Sequence, residues 1–273
     1  MLIDSYRLSD HDRQVWAHHE KIDALVAKRM RDRLARLEAD AVSHLTRFID
    51  AGGGGYLGIS WGKDSVVTAY MLHLVERTGR SYPAVWVRVS PWEMPECEDV
   101  RDAFLERFPL SHYEDMVRPA ATNGRDICDI GFRDSAKLYG DRHVSGVRAE
   151  ESAIRRMVAR RWGHATDRTC RPILRWTNEQ VFAYMHMRGL PVHPSYAMTQ
   201  GGLWKRKHLR VALLGGERGT QFGRAEWEEH YYGQELHQIR EHGYGGPVPE
   251  QVDGAHPLDA RARSSDETQG VKR

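Results

Sequence analysis

The sequence predicts an α/β protein: a doubly wound, mostly parallel sheet with helices on both faces, plus N-terminal helices and a small C-terminal extension. Short apolar runs alternate with longer segments in which apolar residues recur every three or four positions. The first apolar run enters the next helical segment through a tight, glycine-containing turn. The 273 residues suffice for one large domain with appendages or two ordinary domains. Alternating strands and helices are typical of a parallel sheet covered on both faces.

The composition is that of a soluble globular protein, since 40% of the residues are apolar and 29% are charged. No run approaches the ~18–20 consecutive apolar residues of a membrane-spanning helix. The chain does not begin with the basic and then apolar segment of a secretory signal. We therefore expect a cytoplasmic enzyme that has no membrane association.

The cysteine content excludes certain folds and metal sites, and the net charge gives no sign of a nucleic-acid-binding protein. The three cysteines, Cys97, Cys128 and Cys170, are widely spaced, which excludes a disulfide-stapled fold and a four-cysteine zinc or iron–sulfur site within one chain. The formal net charge of +2 is too small to indicate a nucleic-acid-binding protein by bulk charge. Any contact with DNA would depend on local patches.

The chain divides into four segments. Residues 1–51 form an N-terminal helical segment, 52–198 hold the alternating strands and helices, 199–245 are basic and aromatic, and 246–273 are polar and expected to be a flexible tail. In the first segment Ser9 and Asp10 can cap a helix. The apolar residues that follow recur at helical spacing, and their stripe suggests a homodimer through the N-terminal helices.

The elements of the second segment follow from its apolar pattern. In chain order they are a strand at 56–59, a helix at 66–75, a strand at 84–89, a helix through Val100 and Phe104, strands at 112–117 and 144–147, a helix with Ile154, Met157 and Val158, and a helix capped by Thr177.

The turn after the first strand carries the most chemical information. It reads Ser60-Trp61-Gly62-Lys63-Asp64-Ser65 and lacks the Walker pattern. A strand that turns sharply into a helix directs backbone N–H groups and the positive end of the helix dipole at one point, which makes an anion site. Gly62 permits close approach, the two serines add hydroxyl donors and Lys63 adds positive charge. Asp64 would repel a bare phosphate, so we expect it to cap the turn or to hold a divalent cation.

This turn resembles the pyrophosphate loop of the adenine nucleotide alpha-hydrolase superfamily. Three later segments resemble its phosphoadenylyl-sulfate (PAPS) reductase-like branch in the expected order. They are Pro95-Glu96-Cys97, then Gly146-Val147-Arg148-Ala149-Glu150-Glu151-Ser152 with Arg155 or Arg156, and finally the stretch from Arg171-Pro172-Ile173 to Pro194-Ser195-Tyr196. The resemblance implies a HUP-like nucleotide-binding α/β domain at 52–198, with the nucleotide across the carboxyl ends of the strands.

The resemblance also implies site residues and cofactors. ATP and Mg²⁺ are the expected cofactors, with Asp64 as a magnesium ligand. Arg148 and Arg155 are seven positions apart, so two turns of one helix would direct both toward a phosphate site. The expected catalytic residues are Ser60, Lys63, Asp64, Ser65 and Arg148. The expected nucleotide-binding residues are these five with Trp61, Gly62, Glu151 and Arg155.

The reaction is inferred from what the sequence lacks relative to that branch. PAPS reductases use a cysteine in a C-terminal Glu-Cys-Gly motif, and here no cysteine follows Cys170. The chain is therefore most similar to the ATP pyrophosphatase component of DNA phosphorothioation systems, of the Ssp or Dnd type. That function implies an adenylylated DNA backbone, with a cysteine desulfurase and other DNA-modification proteins as partners. The alternatives are a sulfate adenylyltransferase subunit, a PAPS reductase, or a non-catalytic nucleotide-binding module.

Several other residues have two interpretations each. Cys97 near a helix start and Cys170 beside two arginines are candidates for a sulfur relay, or else inert buried residues. Trp176 is expected to pack in the core, the alternative being stacking on adenine, and His193 is expected to be structural rather than a catalytic base. Two basic patches, at 204–210 and at 160–162 with Arg168, could contact the phosphates and bases of an opened strand, or could be solvated surface.

Overall fold

A five-stranded parallel sheet lies at the centre of the computed structural model, which describes residues 1–119, 124–215 and 223–241. The strands are β1 Gly55–Ile59, β2 Ala84–Ser90, β3 Tyr113–Pro119, β4 Arg142–Val144 and β5 Thr169–Cys170. The helices are α1 Asp10–Arg29, α2 Arg31–Asp50, α3 Lys63–Glu76, α4 Glu96–Arg107, α5 Gly124–Tyr139, α6 Ala153–Trp162, α7 Asn178–Arg188 and α8 Arg224–Glu241. All neighbouring strands pair in parallel, in the order β3-β2-β1-β4-β5, and the predicted fold class is confirmed.

Helices cover both faces of the sheet, as two adjacent residues of β2 show. The Trp86 ring lies at 6.4 Å from the Trp61 ring and faces α4. Val87 points to the opposite face and packs against α5. The contact is close, because a Cβ added to Gly131 of α5 would overlap the Val87 side chain. Since successive strand residues point to opposite faces, both faces of β2 are buried. This explains the nearly continuous apolar run that predicted the strand.

The N-terminal helices belong to the core. The Ser9 hydroxyl accepts a hydrogen bond from the Asp12 amide, and the Asp12 carboxylate accepts one from the Ser9 amide, so the predicted cap is confirmed as a capping box. α1 packs on α7, and α2 packs on α3. Most of the apolar stripe is therefore used within the chain, although Leu25 remains 60% exposed. The homodimer stays a prediction.

One predicted strand is shifted. The sequence placed it at 144–147, whereas β4 ends at Val144, where it pairs with Leu57 of β1. Beyond it the chain leaves the sheet and passes so close to α3 that a Cβ on Gly146 would lie 2.7 Å from the Asp64 carbonyl. The apolar residues Val144 and Val147 were consistent with a strand, but this contact with α3 replaces strand pairing.

Three elements were not predicted: α5, β5 and α8. α8 buries the aromatic residues of the C-terminal region, including Trp227 and Tyr232. Tyr232 and Ser5 donate to the two oxygens of Glu96 at 3.1 and 2.9 Å, which ties both ends of the described chain to α4. The predicted tail, 246–273, lies outside the described residues. Among the described helices, none combines the length and apolar character needed to span a bilayer.

Candidate functional site

A cavity of about 840 Å³ lies at the carboxyl ends of β1 and β4. Its walls come from the turn after β1, the turn after β4, the start of α6, the segment 208–213 and the start of α8. β1 and β4 are where the strand order reverses, and open α/β sheets bind ligands at this switch point. The volume is within the range of about 300–1,000 Å³ that is typical of small-molecule sites.

The turn after β1, residues 60–65, is closed by its own side chains. The Ser65 hydroxyl accepts a hydrogen bond from the Ser60 amide at 3.2 Å and donates one to the Gly62 carbonyl at 3.0 Å. The Ser60 hydroxyl lies 3.5 Å from that of Ser65 and is exposed to the cavity. The first amides of α3 have no partner within the helix. A preformed anion site at this point is therefore what the geometry supports.

Trp61 shapes this turn from inside the core. Its φ of 55° is in the left-handed region, which is unusual for a bulky residue. The side chain is fully buried against Trp86, Phe104 and Tyr113 and is not part of the cavity wall. The prediction that Trp61 contacts a nucleotide therefore concerns only its main chain.

Lys63 is held by Tyr196. The Tyr196 hydroxyl accepts a hydrogen bond from the Lys63 amide at 3.1 Å, and its ring centroid lies 5.3 Å from Nζ. The Lys63 side chain is only 7% exposed. Sequence reasoning used Tyr196 only as part of a motif. Its role could be recognised only once the structure brought it next to a residue 133 positions earlier.

Asp64 is paired with two cations. One carboxylate oxygen lies 2.7 Å from Lys63 Nζ, and the other lies 2.7 Å from Arg148 Nε. In the described residues no group of three or more His, Cys, Asp or Glu side chains could hold a metal ion. The side chains present therefore do not form a magnesium cage. Mg²⁺ usually keeps several waters and binds one or two carboxylates together with substrate phosphates, so magnesium at Asp64 stays a prediction.

Arg148 lies behind Asp64. Its side chain is 3% exposed, is not part of the cavity wall and also binds Glu150 Oε2 at 2.9 Å and the Trp176 carbonyl at 3.2 Å. What the structure shows is a residue that positions Asp64. Direct contact between Arg148 and a nucleotide stays a prediction.

The expectation that Arg148 and Arg155 occupy one helix is wrong. Arg148 is extended, a short 3-10 turn follows at Ala149–Glu151, and α6 begins only at Ala153. The Glu151 carboxylate accepts from the Arg148 amide at 2.8 Å, and the Ser152 hydroxyl accepts from the Arg155 amide at 3.1 Å. Because these side chains cap two separate turns, a uniform helical period does not apply.

Arg155 is the arginine of this pair that reaches the cavity. It forms an ion pair with Glu151, its side chain is 38% exposed, and both residues line the wall. The arrangement brings Arg155, Lys63, Ser60 and Ser65 to one cavity. That these residues act on phosphates stays a prediction.

The two relay candidates are buried thiols. Burial, with Glu93 and Glu96 nearby, raises the pKa of Cys97 well above its usual value. Burial also raises the pKa of Cys170 to about 12. Neither thiol is stabilised as a thiolate in this structure, so burial outweighs any effect of the helix start or of the arginines near Cys170. Cys97 Sγ does lie 4.0 Å from the Ser60 carbonyl, and a sulfur relay stays a prediction.

The C-terminal region forms the outer wall of the cavity. The Leu214 amide donates a hydrogen bond to the Trp92 carbonyl at 2.7 Å. Val211 lies close to Gly62, since a Cβ added to Gly62 would be 3.3 Å from the Val211 Cβ. Arg224 then donates to the Arg210 carbonyl at 2.9 Å. Sequence reasoning noted Arg210 only as part of a basic patch and did not single out Arg224, because nothing local relates this segment to the turn after β1.

His143 is a further wall residue that sequence reasoning missed. It lies on β4 next to Gly58, where a Cβ would come within 2.8 Å of its Nε2. Burial lowers the pKa of His143 to about 4, so the imidazole is neutral at pH 7. Trp176 is 2% exposed and His193 is 1% exposed, which confirms that both are structural.

Comparison with known proteins adds a family and several similar structures. Residues 56–200 match the phosphoadenosine phosphosulfate reductase domain family. No curated protein matches the chain. PAPS reductase from Candida auris, a phosphate complex, is 12% identical with a TM-score of 0.41, over 60% of this chain and 89% of that chain. NMN synthetase from Francisella tularensis is 13% identical with a TM-score of 0.44, over 80% of this chain and 98% of that chain. The U34-tRNA thiolase NcsA from Methanococcus maripaludis with its 4Fe–4S cluster is 15% identical with a TM-score of 0.38, over 73% of this chain and 75% of that chain.

The matched region covers more than half of the chain and includes the turn after β1, Arg148, Arg155 and Tyr196. The resemblance to the PAPS reductase-like branch is therefore confirmed. The chain belongs to the phosphoadenosine phosphosulfate reductase domain family.

Proposed function

We propose that this protein binds ATP at residues 60–65 and cleaves it between the α- and β-phosphates, to AMP and pyrophosphate. An acceptor oxygen attacks the α-phosphorus, the bond from that phosphorus to the bridging oxygen breaks, and pyrophosphate leaves with the electron pair. The proposed acceptor is a non-bridging oxygen of the DNA backbone, which carries no proton at neutral pH. A reducing thiol cleaves the persulfide of a cysteine desulfurase and releases hydrosulfide. The hydrosulfide attacks the activated backbone phosphorus, AMP leaves with the electron pair, and the hydrosulfide proton is lost to solvent. The reaction is an adenylyl transfer that leads to DNA phosphorothioation.

The observation that carries this proposal is the preformed turn after β1 in an open cavity. Phosphoryl-group chemistry needs few reacting side chains, and it depends on donors placed where charge grows on the leaving group. Here the Ser60 hydroxyl, the Lys63 ammonium and the α3 amides that follow the Lys63 amide meet at one cavity. The Lys63 amide is bound to Tyr196, and the Ser65 hydroxyl donates to the Gly62 carbonyl and so holds the turn in shape. Arg155 adds a planar cation at the same wall.

The absence of a suitable thiol favours this reaction over reduction of PAPS. Cys97 and Cys170 are both fully buried, and no cysteine is part of the cavity wall in the described residues. A reductase would need an accessible thiolate to attack sulfur. Family membership alone does not decide between the two reactions, because one fold serves several chemistries.

The test is a measurement of AMP and pyrophosphate formation from ATP with Mg²⁺, with and without DNA, a cysteine desulfurase and a sulfur source. Lys63→Ala/Asp64→Ala and Ser60→Ala should each lower turnover by about a hundredfold, the usual effect of losing a transition-state donor. Ser81→Ala, a change at an exposed serine beyond the C-terminal end of α3, is the matched control. The two serine variants should keep their unfolding midpoints within a few degrees. Lys63→Ala/Asp64→Ala leaves the buried Arg148 guanidinium without its Asp64 partner, so circular dichroism at the assay temperature is used to verify that this variant is folded.

Three outcomes would contradict the proposal. Normal turnover in the Lys63→Ala/Asp64→Ala variant would remove the turn from the mechanism. Activity on sulfate with ATP, or on PAPS with thioredoxin, would identify an assimilatory enzyme instead. Tight ATP binding without pyrophosphate release in the complete mixture would identify a non-catalytic nucleotide-binding module.

A further inference from the structure

The region from α6 to the start of α7 concentrates positive charge beside the cavity. Residues 153–175 contain seven arginines and one acidic residue, Asp167, whereas the whole chain has a net charge of only +2. Within α6 itself there are four arginines and no acidic side chain. A local excess of this size on a nearly neutral protein is the electrostatic footprint of a surface that meets a polyanion.

α6 also exposes large apolar side chains. Ile154 is 69% exposed, Met157 is 62% exposed and Trp162 is 53% exposed. Ile154, Met157 and Arg161 recur at steps of three and four residues, so they share one face of the helix. Apart from the preceding 3-10 turn, α6 has little packing against the rest of the described structure. This face is therefore an unpartnered surface with mixed apolar and cationic character.

The face begins at the cavity. Ile154 and Arg155, in the first turn of α6, are part of the cavity wall, and Trp162 is the last residue of the helix. At 1.5 Å per residue, the distance along the helix from Ile154 to Trp162 is about 12 Å. A ligand that lies along α6 thus has one end at the proposed adenylylation site.

The two kinds of side chain match the two parts of an unpaired nucleic-acid strand. Phosphates suit arginine guanidinium groups, and exposed aromatic rings stack on bases that are not already paired. The guanidinium of Arg161 lies 5.0 Å from the centroid of the Trp162 ring, so a cation and a stacking surface are adjacent. A duplex would present its phosphates but would keep its bases away from Trp162.

We propose that the exposed face of α6 binds an unpaired DNA strand and leads it into the cavity. Arg160 and Arg161 bind backbone phosphates, Trp162 stacks on a base, and Ile154 and Met157 contact the nucleotide nearest the cavity. This inference rests on the proposed function, because it supplies the surface that would hold the DNA acceptor. It explains why Ile154, Met157 and Trp162 are not turned into the core.

The test is fluorescence anisotropy of the full-length protein with a short labelled DNA strand, at several salt concentrations and without ATP. Arg160→Glu/Arg161→Glu should weaken binding at least tenfold and lower the slope of log K against log salt by about 1.4, the value for two phosphate contacts on a single strand. Trp162→Ala should weaken binding about tenfold, the effect of losing one stacked base. All three residues are exposed, so the fold should be unaffected.

The matched control is Arg33→Glu/Arg36→Glu, which makes the same charge change at exposed positions of α2. Equal weakening by this control would overturn the proposal, because the effect would then be one of net charge. Tighter binding of the duplex than of the single strand would also overturn it. If no DNA binds while ATP is still cleaved in the turn-dependent manner, this inference fails and ATP cleavage at the turn remains supported. Normal ATP cleavage by the Lys63→Ala/Asp64→Ala variant contradicts the proposed function instead.

Discussion

The Arg148 guanidinium and the Asp64 carboxylate connect the turn after β4 to the first turn of α3, with Nε and Oδ1 2.7 Å apart. The two residues are 84 positions apart in sequence. Asp64 also binds Lys63, so one carboxylate joins the cation that faces the cavity to the cation that is buried behind it. The position of Lys63 therefore depends on the other side of the switch point between β1 and β4.

We expect Arg148→Met to destabilise the protein. It would remove the buried cation that both Asp64 and Glu150 bind. Because Asp64 keeps its pair with Lys63 and Glu150 is half-exposed, we expect a loss of about 1–3 kcal/mol of unfolding free energy, the range for hydrogen bonds to charged groups. Urea unfolding measures this loss. Arg168→Met is the control, because the Arg168–Asp141 pair is largely exposed and should contribute less than about 0.5 kcal/mol. Similar losses in the two variants would contradict a buried anchoring role.

We expect Gly146→Ala to disturb the same connection without altering a charge. The new Cβ would lie 2.7 Å from the Asp64 carbonyl, so α3 and the turn after β4 must separate. A loss of about 1–3 kcal/mol is expected for such overpacking, together with weaker ATP binding in a calorimetric titration. Gly233→Ala in α8 is the control, since its Cβ would come no closer than 3.6 Å to Glu229. Unchanged stability and affinity in Gly146→Ala would show that the contact is not tight.

We expect Tyr196→Phe to lower both stability and nucleotide affinity. It removes the acceptor of the Lys63 amide, and an unsatisfied buried donor costs about 1–3 kcal/mol. Thermal unfolding and ATP titration together measure the two effects. Tyr6→Phe, at a residue that is 80% exposed, should change neither. An unaltered midpoint in Tyr196→Phe would mean that Lys63 is held by other contacts.

We expect His193 to make the protein less stable in mild acid. Burial, with Arg224 nearby, lowers the pKa of His193 to about 3, against about 6.5 in the unfolded chain. Between these values the unfolded state binds a proton that the folded state excludes. The stabilisation is therefore complete above pH 6.5 and is lost as the pH falls toward 3. At pH 5 the loss is about 2 kcal/mol.

His193→Asn tests this because asparagine can still accept the hydrogen bond from the Ser195 amide that Nδ1 accepts at 3.1 Å. Urea unfolding measures the free energy of unfolding at pH 7.5 and at pH 5. The decrease between these two pH values should be about 2 kcal/mol smaller in the variant than in the parent protein. His237→Asn, at an exposed position of α8, should leave that loss unchanged. The same loss in His193→Asn as in the parent would assign the acid sensitivity to other groups.

We expect the thiols to react slowly in the native state. Cys97 and Cys170 are buried, and burial raises the pKa of half-buried Cys128 to about 11, so little thiolate forms at neutral pH. A colorimetric thiol reagent should therefore label all three cysteines rapidly only after denaturation. Rapid labelling of one cysteine in the native protein would identify an accessible thiolate and would favour a sulfur relay. Cys97→Ser and Cys170→Ser would show which residue it is.

Local patterns in the sequence determined most of the architecture. The apolar runs placed β1, β2 and β3, the Ser9 and Thr177 signals marked the true starts of α1 and α7, and the turn after β1 was recognised from its residue types. These features depend on contacts within about four residues, where backbone hydrogen bonding and side-chain period act directly. The fold class and the location of the candidate site could therefore be predicted.

Only the tertiary structure decided which predicted residues face the cavity. It turned Trp61 into the core, placed Arg148 behind Asp64 and brought the segment around Val211 over Gly62. Each of these outcomes depends on strand order and on packing between residues far apart in the chain. Local propensity carries no information about such contacts, because their free energy arises only when the sheet and its covering helices have assembled.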